Sequence, residues 1–135
     1  MPIDFDIDHE RRLVTARGRG TVTHEDVYAY QLRVWGKADV AGYDELVDMS
    51  GVEEISIPSM DSIPRLADLA ARMDPPDMSS KLAIVAKDDF AFALGRMYET
   101  YRGLDPRSTK EARVFRSLPE ALAYLSSKDS LTSTT

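Results

Sequence analysis

The segment LAIVAKDDF, residues 82–90, decides the fold. Its first part, Leu82–Ala86, is a short continuous apolar run, which is typical of a strand buried on both faces of a parallel sheet. Asp88 or Asp89 then provides the N-cap of a helix, because a carboxylate accepts hydrogen bonds from the free N–H groups of a first turn. A buried strand followed directly by a capped helix is the unit from which α/β sheets are built.

Strands and helices alternate on both sides of this unit. Ile3–Asp8 alternates strictly and predicts a half-buried edge strand, and Leu13–Arg19 predicts an antiparallel partner for it. Tyr43–Met49 and Ala112–Phe115 predict the third and fifth strands. The resulting order, ββαβαβαβα, requires right-handed crossovers and predicts an α/β domain with a mixed, mostly parallel five-stranded sheet.

Four helices complete this pattern. The predicted N-cap residues are Thr23, Ser62, Asp88 or Asp89, and Ser117. The first and the last of them are followed three residues later by an acidic residue, which completes a capping box. With Ser62 as N-cap, Pro64 falls in the first turn, where its missing N–H costs nothing. Phe90 and Leu94 are predicted to face the core from the third helix.

Length, charge and residue composition exclude several classes of function. The chain of 135 residues fits one domain over residues 1–125, followed by a polar, disordered tail at 126–135. Its net charge of −6 argues against nucleic-acid binding. The sequence has no apolar run of ~18 residues and no secretory h-region, and it has no cysteine for disulfides or thiolate chemistry. We therefore expect a cytoplasmic protein.

The sequence offers little for catalysis. The two histidines, His9 and His24, have no second ligand at metal-binding spacing. Neither G-x-x-x-x-G-K-[ST] nor G-x-G-x-x-G is present. We therefore predict no enzymatic activity, no cofactor and no metal. Two or more titratable groups with shifted pKa values that converge in one pocket would instead favour an enzyme.

Two groups of helical side chains are candidates for binding. Aromatic and methionine residues predict a surface for a small apolar or amphipathic ligand or for a protein partner; they are Trp35, Met73, Phe92, Met97 and Tyr101. Core packing is the alternative for this group. Arg96, Arg102 and Arg107, in a segment with six basic and three acidic residues, predict a patch for an anion or a membrane surface. A solvated helix end is the alternative for this second group.

A third candidate is the loop predicted after the third strand, which carries Asp48 and Ser50. A serine close to an aspartate raises the alternatives of a nucleophile or a phosphorylation switch. Ser50–Gly51 also predicts a simple turn, because serine and glycine are common turn residues.

Four segments of the chain resemble the SpoIIAA-like family of small bacterial proteins. They are GTVTHEDVYAY (20–30), LVDMSGVEEIS (46–56), KLAIVAKDDFAFALGRMYE (81–99) and ARVFRSLPEALAYL (112–125). The resemblance spans roughly residues 3–125 and is one of architecture. It implies a STAS-like fold, which these proteins share with lipid-carrier domains of the SEC14 type. That relationship implies binding of a small apolar ligand or association with a membrane surface.

The STAS relationship also implies a second function, regulation through a protein partner. In anti-sigma-factor antagonists a kinase phosphorylates the serine of an Asp-Ser pair at the start of the next helix. The position that matches this serine here is Ile57, preceded by Ser56, so the usual phosphoserine is missing. A match to the Asp-Ser pair Asp61–Ser62 would need an insertion before it. The alternative to a ligand-binding module is therefore a regulatory interaction domain without that switch. A homodimer that covers the edge strand Ile3–Asp8 is a further expectation.

Overall fold

The computed structural model describes residues 2–59 and 61–127, and these residues form one five-stranded sheet in the order β1-β2-β3-β4-β5. The strands are β1 (Ile3–Asp8), β2 (Leu13–Thr23), β3 (Asp44–Ser56), β4 (Ser80–Val85) and β5 (Lys110–Phe115). β1 lies antiparallel to β2, and every other neighbouring pair is parallel. The mixed, mostly parallel sheet predicted from the sequence is thus confirmed, with β1 at one edge. Most of the predicted tail, residues 128–135, lies outside the described residues.

The helices also follow the predicted order. They are α1 (His24–Tyr30), α2 (Ser62–Met73), α3 (Asp89–Leu104) and α4 (Leu118–Ser126). α1 runs directly into a π-helix at Gln31–Trp35, and a 3₁₀-helix follows at Ala38–Val40. Neither of these two segments is predicted by the sequence pattern.

Capping side chains set the helix starts. Thr23 and Asp26 form the predicted capping box of α1, since each side chain accepts from the backbone N–H of the other residue. Asp88 and Ser117 cap α3 and α4. The N-cap predicted for α2 is wrong by one residue, because Asp61 occupies that position and Ser62 turns into the core as the first helical residue.

The helices cover the sheet unequally. α4 packs alone on one face, where Ala121 meets Leu46, Ala83 and Val85. The helices α1, α2 and α3 share the other face with the π-helix. Alternate residues of a strand point to opposite faces, so Glu45 and its neighbours in the sheet register face this three-helix layer. The candidate site lies in that layer.

The turn predicted at Ser50–Gly51 is wrong. β3 continues through these residues to Ser56 and pairs there with the end of β2. The register shifts twice along this extension, between Arg17 and Arg19 and between Gly20 and Thr21. Such irregularities increase the twist of a strand without ending its hydrogen-bonded pairing. They also interrupt the alternation of inward and outward residues, so the sequence pattern did not show that the strand continues.

The core face of α3 also differs from the prediction. Phe90 is 53% exposed, while the buried positions are Ala91, Leu94, Gly95 and Arg102. Ala91 and Gly95 pack against Val114 of β5, and with this face of α3 turned inward Phe90 points outward. Of the helices within residues 2–59 and 61–127, none has both the length and the apolar composition that a membrane crossing requires.

Candidate functional site

An apolar cavity of about 140 Å³ lies between the sheet and the helices α1, α2 and α3. Side chains of β3 and β4 form its floor, and side chains of the three helices form its walls. Six of the lining residues are Val27, Val47, Ile55, Leu66, Ile84 and Leu94. The cavity occupies the face on which the parallel strands and the helices enclose most of the apolar surface.

A second cavity, of about 250 Å³, adjoins the first and is the more polar of the two, so we call it the polar cavity. Trp35, Met73, Asp74, Arg102 and Lys110 are among its lining residues. Three further side chains line both cavities, and they are Gln31, Glu45 and Tyr98. These three form a polar wall at one end of the apolar cavity, so the combined space is amphipathic.

Glu45 is the centre of this polar wall. The carboxylate of this β3 residue accepts hydrogen bonds from the Tyr30 hydroxyl at 2.7 Å and from the Trp35 Nε1 at 3.0 Å. It also pairs with the Lys110 ammonium at 3.2 Å, and both side chains are less than a tenth exposed. The Lys110 ammonium lies 3.2 Å from the centre of the Trp35 ring, which adds a cation–π contact. Lys110 is thus held by one carboxylate and one aromatic face.

Arg102 and Asp74 form a second buried ion pair. The Arg102 Nη2 lies 2.6 Å from the Asp74 carboxylate, and the two side chains are 2% and 8% exposed. The Arg102 Nη1 donates to the Tyr98 hydroxyl at 2.9 Å, which links this pair to the polar wall. The sequence placed Arg102 in an exposed anion or membrane patch. That placement is wrong, because the guanidinium is buried and paired.

Gln31 is the one residue of the polar wall with an unpaired end. Its side-chain Nε2 is 3.4 Å from the Tyr98 hydroxyl, and its Oε1 is buried without a partner among the described residues. The oxygen and nitrogen of an amide are assigned from their hydrogen bonds. Rotating the amide would let the Tyr98 hydroxyl donate to the oxygen and would leave the NH₂ group unpaired instead. One end of the amide therefore lacks a partner in either orientation.

Burial shifts several pKa values in this network. It raises the pKa of Tyr30 well above its usual value, and the nearby Glu45 carboxylate raises it further. Burial also raises the pKa of Tyr98, which Arg102 partly offsets. The pKa of Lys110 is lowered by burial, although Glu45 acts in the opposite direction.

Titratable groups with shifted pKa values thus converge at one place in the structure, and this is the feature that would favour an enzyme. Burial is the largest cause of each shift, and Tyr30, Tyr98 and Lys110 each hydrogen-bond to another member of the network. Ion-pair networks that serve only structure shift pKa values in the same way. A catalytic nucleophile or base also needs a free position beside a substrate, and these groups are occupied by one another. We therefore make no proposal of catalysis.

The structure brings together only part of the predicted apolar surface. Trp35 and Met73 line the polar cavity. Phe92 packs beside Ala91 and Val114 and lies under the Arg116 guanidinium at 4.1 Å. Met97 and Tyr101 line neither of the two cavities, and Tyr101 is 40% exposed.

The other predicted groups are engaged in local contacts. Arg96 pairs with Glu99 on α3, and Arg107 pairs with Asp68 and Asp105, while Arg102 is buried, so the three arginines do not form one exposed basic patch. Asp48 and Ser50 lie within β3, where the Asp48 carboxylate accepts from the backbone N–H and the hydroxyl of Ser50. This local bond explains the Asp-Ser pair without a ligand.

Sequence reasoning missed the polar wall. Glu45 and Lys110 are charged residues at the starts of β3 and β5, and Asp74 follows the last residue of α2. A glutamate at an inward-facing strand position was a signal, because buried carboxylates are rare unless they are paired. The identity of the partner, 65 residues away in the chain, carries no local signature.

The sheet order, the first antiparallel pair and the arrangement of the helices define the SpoIIAA-like fold. The structure of an uncharacterized protein of the DUF3478 family from Shewanella loihica PV-4, reported with a SpoIIAA-like fold, matches this chain with a TM-score of 0.56. The match covers 91% of this chain and 93% of that chain, at 17% sequence identity. It confirms the predicted resemblance at the level of the fold. No family model and no curated protein matches the chain.

Proposed function

We propose that this protein is a non-enzymatic module that binds a small apolar or amphipathic molecule in the cavity beneath α1, α2 and α3. The observation that carries the proposal is the apolar cavity of about 140 Å³ with a polar wall at one end. An enclosed apolar cavity of about 150 Å³ holds a molecule of the size of benzene, so this volume is sufficient for a ligand of that size. The space therefore suits a ligand with a compact apolar body.

The positions of the charged residues favour this proposal over binding to a membrane surface. Arg102 is buried, and Arg107 is neutralised by two aspartates. A surface that binds anionic lipids needs several free cations side by side. The predicted basic patch does not supply them.

Thermal unfolding in the presence of toluene tests the proposal. A ligand that binds only the folded state raises the melting temperature with its concentration. Val27→Trp should fill the cavity, because Val27 lines it and is half-buried. Ala29→Trp introduces the same side chain on the exposed side of α1 and serves as the control.

We expect toluene to raise the melting temperature of the wild-type protein and of Ala29→Trp but not that of Val27→Trp. Native mass spectrometry of protein purified from cells would then identify a co-purified molecule by its added mass. The absence of any toluene effect on the wild-type protein would contradict the proposal, as would an equal effect on all three proteins.

Regulation through a protein partner is supported by one observation. The residues at the start of α2 are Asp61 and Ser62, an Asp-Ser pair, whereas the sequence match pointed to Ser56 and Ile57. Ser62 is 1% exposed, so a kinase would reach it only if the start of α2 opened. Phosphate on Ser62 in protein isolated from cells, together with a kinase in pull-downs, would support this alternative. An unmodified Ser62 and pull-downs free of any kinase would reject it.

A further inference from the structure

We propose that the cavity selects a neutral molecule that carries a hydroxyl group, and that Gln31 recognises this hydroxyl. The inference rests on the proposed function, since it names the chemical class of the ligand for the same site. It goes further in assigning a specificity-determining residue.

The position of Gln31 supports this role. The residue begins the π-helix Gln31–Trp35, and its side chain borders both the apolar and the polar cavity. π-helical turns inside helices occur frequently at functional sites. Gln31 is only 6% exposed, and one end of its amide is unpaired among the residues that the structure describes. A buried polar group without a partner is costly, and a bound ligand that pairs with it recovers that cost.

The chemistry of the amide indicates a hydroxyl group. If the Gln31 oxygen is the free end, the ligand must donate a hydrogen bond, and if the NH₂ group is free, the ligand must accept one. A hydroxyl group does both. It therefore satisfies Gln31 in either orientation, whereas an ether, which only accepts, or a protonated amine, which only donates, satisfies it in one.

The charges of the polar wall indicate a neutral ligand. Glu45 of the wall pairs with Lys110. Tyr98 of the wall accepts from Arg102, which pairs with Asp74. The wall and the side chains behind it thus hold two carboxylates and two cations in matched pairs. An ionised head group would lose its hydration on entry and would find no free counter-charge in this wall. A neutral hydroxyl loses much less, because one hydrogen bond from Gln31 replaces one from water.

The volume of the apolar cavity determines which test ligands are small enough to fit. The apolar cavity of about 140 Å³ holds a body of about the size of one aromatic ring. Toluene, benzyl alcohol and benzoate share that ring and differ in the group that would reach Gln31. They supply a methyl, a hydroxymethyl and a carboxylate group, respectively.

The dissociation constants of these three compounds, measured by titration calorimetry at neutral pH, test the inference. We expect benzyl alcohol to bind about five- to tenfold more tightly than toluene, which is the value of about one neutral hydrogen bond. Benzoate should bind more weakly than both compounds, because its charge is unmatched in the wall.

Gln31→Met removes the amide while keeping an unbranched side chain of similar length. This variant should bind benzyl alcohol about five- to tenfold more weakly and toluene at least as tightly as before. Leu32→Met, at the next and exposed position of the π-helix, is the control and should leave both constants unchanged.

Two results would overturn the inference: benzoate binding as tightly as benzyl alcohol to the wild-type protein, or equal weakening of benzyl alcohol and toluene in Gln31→Met. The second result would mean that Gln31 only shapes the cavity. If Gln31→Met does not fold, the order of the three compounds on the wild-type protein still decides. Failure of toluene and benzyl alcohol alike to bind would instead reject the proposed function itself.

Discussion

At Asp74 a single carboxylate oxygen connects three segments of the chain. The Oδ2 accepts from the Arg102 guanidinium at 2.6 Å, from the Thr109 N–H at 2.9 Å and from the Lys110 N–H at 3.3 Å. It thereby ties the end of α2 to α3 and to the start of β5. The polar wall depends on this tie, because it positions Lys110 opposite Glu45.

Asp74→Ala should therefore be strongly destabilising. It leaves the Arg102 guanidinium buried without its carboxylate, and the loss of one partner of a buried ion pair costs about 3–5 kcal/mol. Asp68→Ala is the matched control, since Asp68 pairs with Arg107 at the surface, where screening by water leaves such a pair little net contribution to stability. Urea unfolding of both variants gives the comparison. Equal losses would contradict the distinction between the two pairs.

The single residues that make the site were the least accessible to sequence analysis. Arg102 was expected at the surface because arginine is usually exposed, and nothing in its own segment reveals that Asp74 is 28 residues away in the chain and adjacent in space. Trp35 and Met73 were singled out as candidates on their apolar chemistry alone, and both line the polar cavity. Long-range pairing decides which charges are buried.

Among the elements, the π-helix at Gln31–Trp35 does most to shape the site. It turns Gln31 and Val34 into the protein, and it lets the Trp35 Nε1 reach the Tyr30 hydroxyl and the Glu45 carboxylate. The sequence predicts one continuous helix here, because inward-facing residues at this spacing fit α-helical periodicity as well. In the wider turn, Tyr30 and Trp35 both donate hydrogen bonds to Glu45 of the sheet, a partner that the local sequence does not reveal. In contrast, the starts of α1, α3 and α4 were predictable, since their caps are local.

α3 packs closely on β5 at Gly95, and a substitution at this position tests the contact between the two elements. A Cβ added at Gly95 would lie 2.7 Å from the Cγ2 of Val114, and valine side chains have little freedom to move away. We expect Gly95→Ala to lower the free energy of unfolding by about 1–3 kcal/mol. Chemical denaturation measures this loss, and Val114→Ala in the same chain should recover part of it.

Gly103→Ala on the same helix is the control, because a Cβ there meets nothing within 4 Å. Alanine at an exposed helical position should stabilise the protein by about 0.5–1 kcal/mol. If both variants changed stability in the same direction, the account of Gly95 as a contact point between α3 and β5 would be wrong.

At the scale of the whole molecule, buried ionisable groups make stability depend on pH. The raised pKa values of Tyr30 and Tyr98 mean that the folded state keeps protons that the unfolded state loses above about pH 10. Stability from these groups is complete below that pH and is lost as the pH rises toward the folded-state values. The lowered pKa of Lys110 has the opposite effect, but this effect ends near pH 10.5, where the unfolded lysine titrates.

The free energy of unfolding should therefore fall above about pH 10.5, by up to about 1.4 kcal/mol per pH unit for each of the two tyrosines. Urea unfolding at several pH values up to about pH 12 measures this slope. Tyr30→Phe should be less stable than the wild-type protein at neutral pH and should show a shallower fall in alkali. A wild-type stability that stays constant or rises over this range would contradict the prediction.

The overall architecture was easier to predict from the sequence than the single elements or the site residues. The apolar run Leu82–Ala86 and the alternation of strands and helices lead to the SpoIIAA-like fold, because handedness and layer packing leave few other arrangements. The length of β3 was underestimated, since its extension to Ser56 depends on irregular pairing with β2. The cavity is a property of the assembled layers. It follows from packing between α1, α2, α3 and the sheet, which no single segment encodes.

The central claim is that the layer beneath α1, α2 and α3 holds a small ligand. Methyl-selective NMR spectra recorded during a titration with benzyl alcohol test it most directly. We predict saturable shifts of the Val27, Ile84 and Leu94 methyl groups, which line the apolar cavity, while the Leu122 and Leu125 methyl groups of α4, on the opposite face, stay in place. Unchanged cavity methyl groups, or shifts confined to α4, would contradict the claim.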